Sequence, residues 1–358
     1  MNQSNPKNIK KILTVALTSI TLALTQFAYA NSNPRVYVDV YGTNKLSAED
    51  IKNKFGEDMM SLASLYIDPK TFTEKSKKSE PMRNRIKNGI NSMGAFSYVN
   101  VSMMKFPNNK NAYYTIDIVE KKDQRRLGNF LTKPSRYIPD PEHLIALWKE
   151  YQEKGYVSFF SKDKAKVDLT SCPAFNCTLG FDALPLKKYK AIFGSAVPRN
   201  KDKLIAILHE DQDPDKRATA ALLLAHIKDG KELIDNLVPA MDDADMKVRS
   251  TAMQVLAGAL HTVKTSDIPL DNVINALDRP DLEERNKALT LLYVLSLQTA
   301  NDNYIKEHAK AQLIVQLKME QPYVHDQAYL ILKQISGLKF GERDYQAWDN
   351  WLNTNKTV

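Results

Sequence analysis

Asp213-Pro-Asp-Lys-Arg-Ala-Thr-Ala-Ala-Leu-Leu-Leu224 is followed by three stretches built to the same plan: Asp245-Met-Lys-Val-Arg-Ser-Thr-Ala-Met-Gln-Val-Leu256, Asp281-Leu-Glu-Glu-Arg-Asn-Lys-Ala-Leu-Thr-Leu-Leu292 and Gln321-Pro-Tyr-Val-His-Asp-Gln-Ala-Tyr-Leu-Ile-Leu332. The shared frame is Arg-x-x-Ala-x-x-x-Leu, carried by Arg217/Ala220/Leu224, Arg249/Ala252/Leu256 and Arg285/Ala288/Leu292, with His325/Ala328/Leu332 keeping all but the arginine. The anchors recur at intervals of 32, 36 and 40 residues, the range of helical-pair repeats. Leu208, Met241, Leu277 and Leu317 end the preceding helices, so each unit reads as helix, short acidic turn, helix. Asp213, Asp245 and Asp281 stand where an N-cap accepts from free backbone N–H groups. The arginine lies one turn in, within reach of the aspartate of its own or a neighbouring unit.

This pattern resembles HEAT repeats, and the resemblance implies that Asp–Arg pairs link successive units. The fourth unit departs from it, since Gln321 and His325 cannot form a permanent ion pair; a terminal unit is expected to be atypical. Tyr345, Trp348 and Trp351 follow at helical spacing and are expected to cap the open end of the stack. With the arginine at zero on a helical wheel, positions +2, +5 and +9 lie opposite the apolar stripe. The candidate ligand-binding row on that face comprises Leu222 and His226, Gln254, Thr290, Leu330 and Gln334. It is mostly uncharged, which suits a protein or peptide partner better than a phosphate.

Upstream, the signals alternate between strand and helix. Val36, Val38 and Val40 share one face of a strand. Ser47 reads as an N-cap ahead of a helix with the stripe Ile51, Phe55, Met59, Leu62, then a Lys-rich loop over 68–80, then a second helix from Met82 to Met93. A strand from Phe96 to Phe106, a turn at Asn108-Asn109 and a strand carrying Tyr114, Ile116 and Ile118 complete a βααββ order. Met93-Gly-Ala-Phe-Ser-Tyr-Val-Asn-Val101 and Tyr114-Thr-Ile-Asp-Ile-Val-Glu120 make this module similar to a polypeptide-transport-associated (POTRA) domain. That resemblance implies a sheet-edge position for the 96–106 strand, whose Asn100 and Ser102 are then candidate residues for strand addition by an extended partner. The clamp of a KH-type nucleic-acid module is missing between the helices.

Residues 126–200 form a connector with a helix starting near His143 and an irregular stretch around Cys172 and Cys177. Even number, close spacing and an exported destination favour a disulfide over a zinc or redox site. Export is read from Lys7, Lys10 and Lys11, a run of 14 apolar and small residues from Ile12 to Thr25, and Ala28-Tyr29-Ala30 as a cleavage pattern. The run is too short to span a membrane, so no transmembrane anchor is expected after cleavage.

The expected fold class is thus an α+β N-terminal module (βααββ) followed by an all-α HEAT-like solenoid. Residues 1–30 are a signal peptide, 31–125 the POTRA-like domain, 126–200 the connector and 201–358 the solenoid with its cap. The formal charge of +8 is split between net +10 over 31–200 and net −5 over 201–358. A composition that is 43% hydrophobic and 26% charged excludes a mainly disordered chain. The six histidines show no metal-binding spacing, and phosphate loops and nucleophile elbows are absent. These readings point to an exported, periplasmic or secreted, non-catalytic adaptor without cofactor that binds a protein or peptide and no nucleic acid. The Lys/Arg cluster 75–87 is a candidate contact for an anionic envelope surface. The alternatives are an envelope-assembly factor using strand addition, and an enzyme or subunit with a groove near the Cys172–Cys177 region.

Overall fold

The computed structural model describes residues 35–65, 72–106, 111–160, 172–265 and 268–354; the leader, the Asn108-Asn109 turn and the 161–171 stretch lie outside them. The first module contains β1 (Val36–Tyr41), α1 (Ala48–Leu65), α2 (Phe72–Asn91), β2 (Phe96–Lys105) and β3 (Ala112–Glu120). Ser47 opens α1 through a reciprocal cap: its hydroxyl accepts from Asp50 N–H, and its N–H donates to Asp50 Oδ2. The stripe Ile51, Phe55, Met59 and Leu62 is buried, as its spacing predicts.

From Phe72 onward the Lys-rich segment is helix, not loop. It forms the first half of α2, which starts at Phe72 and carries Pro81 inside it. Its lysines and glutamates have good intrinsic helix propensity but no apolar periodicity, and periodicity was the signal that located the other helices.

The sheet order is β1-β3-β2, with β1 parallel and β2 antiparallel to β3. One face holds Val38, Val99, Val101, Tyr114, Ile116 and Ile118 against the two helices. The other face is not solvated. Asp117 and Thr115 on β3 are fully buried there, because this face lies on the helical half of the chain.

Two helices, α3 (Leu144–Phe160) and α4 (Lys187–Arg199), precede four helix pairs. The pairs are α5 (Lys201–Glu210) with α6 (Pro214–Leu224), α7 (Gly230–Ala240) with α8 (Met246–Ala259), α9 (Leu270–Ala276) with α10 (Leu282–Ser296), and α11 (Asp302–Leu317) with α12 (Pro322–Ser336). The predicted caps Asp213, Asp245 and Asp281 start the second helices of the first three pairs, and Gln321 does the same in the fourth; each accepts from the backbone N–H two residues on. Helix α13 (Tyr345–Asn353) buries Trp348 against Tyr329 and Phe340, and the indole N–H donates to Gly341 O at 2.8 Å.

The N-terminal half runs back along the ridge formed by the turns between paired helices. The sheet sits on the third and fourth turns, where Tyr41 O–H donates to Asp278 Oδ1 at 2.9 Å and Asp39 accepts from the N–H groups of Glu320 and Gln321. Residues 128–138 then cross the second turn, with Leu131 N–H on Asp242 O, and the first, with Ile138 N–H on Asp211 Oδ2. Helix α3 turns the chain onto α6, with Trp148 buried between them.

Candidate interaction site

Three features bear on function: an arginine ladder, a helical face covered by the chain itself, and a cleft beside β2.

The ladder departs from the simple Asp–Arg expectation. Each arginine donates from Nη1 to a carbonyl six residues earlier in its own turn: Arg217 to Asp211, Arg249 to Asp243 and Arg285 to Arg279. None pairs with a capping aspartate, since those carboxylates are engaged by helix N–H groups. Arg217 instead binds Asp243 of the next unit with two bonds of 2.9 and 2.7 Å, and Arg249 binds Glu284 of the next with 2.7 and 2.8 Å. Such forked pairs are among the stronger charge-assisted contacts.

The third rung leaves the solenoid. The fourth unit offers Met319 and Val324 where its predecessors place Asp243 and Glu284, so Arg285 finds no carboxylate there. It binds Asp117 of β3 at 2.5 Å instead, both side chains 0% exposed. Burial pushes the Asp117 carboxyl up, and the guanidinium beside it pulls it back. Tyr41 lies between Arg285 and Arg126, with the cations 4.2 and 4.7 Å from its ring. Arg126 also donates to Asp278 O and Oδ1. The sheet module thus completes the ladder.

The predicted ligand row on the second helices is half covered. His226 is 6% exposed, enclosed by Trp148, Phe181 and Phe193, and desolvation pushes its imidazolium down to about 4. Leu222 packs against the same core, and Gln254 donates to Thr178 Oγ1 at 3.2 Å. The cover is formed by α3, α4 and the stretch between them that holds the Cys172–Cys177 disulfide, whose Cα atoms are 5.8 Å apart. Phe175 N–H donates to Ala225 O. A Cβ on Gly258 would stand 2.3 Å from Phe175 O, so only glycine lets this backbone approach the helix. The first two units are therefore corrected from ligand face to intramolecular contact; Thr290, Leu330 and Gln334 stay half-buried on the last two.

Beside β2 lies a cleft of about 450 Å³. One wall is the Asn100–Met104 edge, with Arg83 of α2; the other is Asp281, Leu282 and Glu283 at the start of α10, with Tyr323. Among the described residues no strand pairs with the outer edge of β2. Asn100 is tied across the cleft floor, donating to Asp281 Oδ2 at 3.2 Å. Ser102 lines the cleft beside it.

Sequence reasoning located the capping residues but missed Asp117, Asp243, Glu284, Tyr41 and Asp278. A usable signal was the pair of tyrosines, Tyr37 and Tyr41, on the face of β1 opposite Val36, Val38 and Val40. Among the described residues no group of three or more His, Cys, Asp or Glu side chains could hold a metal ion, and no helix is long and apolar enough to cross a membrane.

Residues 202–292 match the family model for HEAT repeats. HEAT repeats are in general scaffolds for protein–protein interaction, and the family is typically non-catalytic. No curated protein and no solved structure matches the chain.

Proposed function

We propose that this chain is an exported, non-catalytic adaptor that holds an extended segment of a protein partner along the outer edge of β2. The observation that carries this reading is the cleft. An edge strand with unpaired backbone groups is a template for strand addition, and here it faces a second wall supplied by the third repeat. The POTRA-like order of the first module supports the same reading, and the HEAT-repeat half supplies a rigid support. Export rests on the basic start, the short apolar run and Ala28-Tyr29-Ala30. A disulfide accords with an oxidising destination.

The test is selection from a displayed library of random octapeptides, with wild type, Met103→Pro and Met103→Ala as baits. Ala112 N–H donates to Arg35 O on the β1 side, so Thr115 faces β2 and pairs with Ser102, and the Met103 N–H is turned to the open edge. Proline at 103 removes that edge donor, and alanine controls for the lost side chain. Wild type and Met103→Ala are expected to enrich β-prone extended sequences, and Met103→Pro to enrich none at the thermal stability of Met103→Ala. Equal enrichment by Met103→Pro and Met103→Ala would remove the edge from the site.

A further inference from the structure

The cleft's two sides differ in chemistry, and this difference reads as a specificity code. Successive side chains of a strand point to opposite faces of the sheet. On β2 the odd positions face the helices: Val99 and Val101 are buried there and Met103 packs against the same cluster, as does Met82 of α2. The even positions face the solenoid: Asn100 reaches Asp281, and Met104 packs against the solenoid core. A strand added beside β2 inherits this alternation. Its helix-side residues continue an apolar surface. Its solenoid-side residues meet Asp281, Glu283 and Tyr323.

The two acids on that side are not equivalent. Asp281 is already engaged through both oxygens, by Glu283 N–H, Glu284 N–H and the Asn100 amide. Glu283 is exposed, and its carboxylate makes no hydrogen bond or ion pair among the described residues, although Lys287 follows four residues later on the same helix. Arg83, the cation that lines the cleft, comes from the α2 side and already has a partner.

We infer that the β2 cleft selects extended peptides that alternate apolar and basic residues, with the basic side chains read by Glu283. This rests on strand addition at β2 and adds the partner's chemistry to it. The preference runs against the net positive charge of residues 31–358, +10 over 31–200 and −5 over 201–358, so non-specific attraction would favour the opposite ligand.

The probes are two labelled octapeptides, four Val-Lys repeats and four Val-Glu repeats, titrated at about 0.15 M salt where loose surface attraction is screened. Wild type is expected to bind the lysine peptide at least about tenfold tighter, and Glu283→Lys to cancel or invert that ratio, as rim charges in complementary interfaces do. Glu283 is exposed on the first turn of α10 while Asp281 keeps the cap, so the variant retains its fold. Met103→Pro, which removes an outward N–H of β2, is expected to lose both peptides while Met103→Ala keeps them, and in wild type the lysine peptide is expected to slow amide exchange over Val99–Met104.

If Met103→Pro abolishes binding but Glu283→Lys leaves the ratio unchanged, the charge code is overturned and strand addition stands. If the lysine peptide binds Met103→Pro fully and leaves the β2 amides unprotected, the edge reading itself fails. No lysine preference in wild type overturns the code outright. A concentration-dependent dimer abolished by Met103→Pro but not by Met103→Ala would put a second copy in the cleft and overturn it too.

Discussion

Removing the Asp117 carboxylate should loosen the molecule far more than its place on a small three-stranded sheet suggests. Asp117→Ala strands Arg285, which is 0% exposed, with the carbonyl of Arg279 as its remaining acceptor. Among the described residues its Nε and Nη2 have no hydrogen-bond acceptor in the intact protein either, and only the Tyr41 ring stays beside the charge. Breaking a buried ion pair from one side costs about 3–5 kcal/mol, a large part of a net stability of roughly 5–15 kcal/mol. The double variant Asp117→Ala/Arg285→Met should recover much of that loss, because no uncompensated charge remains. Urea unfolding followed by tryptophan emission is a suitable assay, since Trp348 and Trp351 lie at the end of the solenoid and Trp148 is buried in the same core on α3. The sheet variant is thus read out from outside the sheet module. Lys264→Ala, an exposed change, should shift stability by no more than about 0.5 kcal/mol. If Asp117→Ala behaves like Lys264→Ala, or the double variant is as unstable as the sum of its singles, the third rung does not bind the two halves together.

His226 should make the cap pH-sensitive. It takes a proton below about 6.5 when unfolded and only below about 4 when folded, so the unfolded chain binds more protons between those values. Stability is complete above the higher value and falls as pH drops through the window, by roughly 3 kcal/mol in all; His226→Leu should flatten that part of the melting-temperature profile. Gly258→Ala pushes a Cβ against Phe175 O and should cost about 1–3 kcal/mol, with faster amide exchange at Phe175; an unchanged rate there would mean the disulfide stretch is not seated on α8. Sequencing the N-terminus of the exported protein should begin at Asn31, and an intact Met1 would contradict export by cleavage.

The fold was legible where local chemistry repeats. Asp213, Asp245 and Asp281 each close a helix, and the Ala and Leu of every frame are buried, because capping and burial follow short-range spacing. The arginines' partners were not legible. Asp243 lies six residues before Arg249, while Glu284 lies one before Arg285, so the carboxylates keep no register. Asp117 lies on another module altogether. His226 read as a surface position because the wheel knows only its own helix; its cover comes from Trp148 on α3, Phe193 on α4 and Phe181 between them, whose docking onto α6 is a long-range contact. The cleft shares this character. Its β2 wall carries Asn100 and Ser102, visible as an edge, whereas Glu283 and Tyr323 join it only through the docking of the sheet on the third and fourth turns.

Amide hydrogen exchange with and without a library-selected peptide tests the central claim most directly. The account predicts slowed exchange over Val99–Met104 of β2, with the Thr290, Leu330 and Gln334 stretches unchanged. Protection confined to the second helices of the last two units, with β2 unaltered, would contradict it.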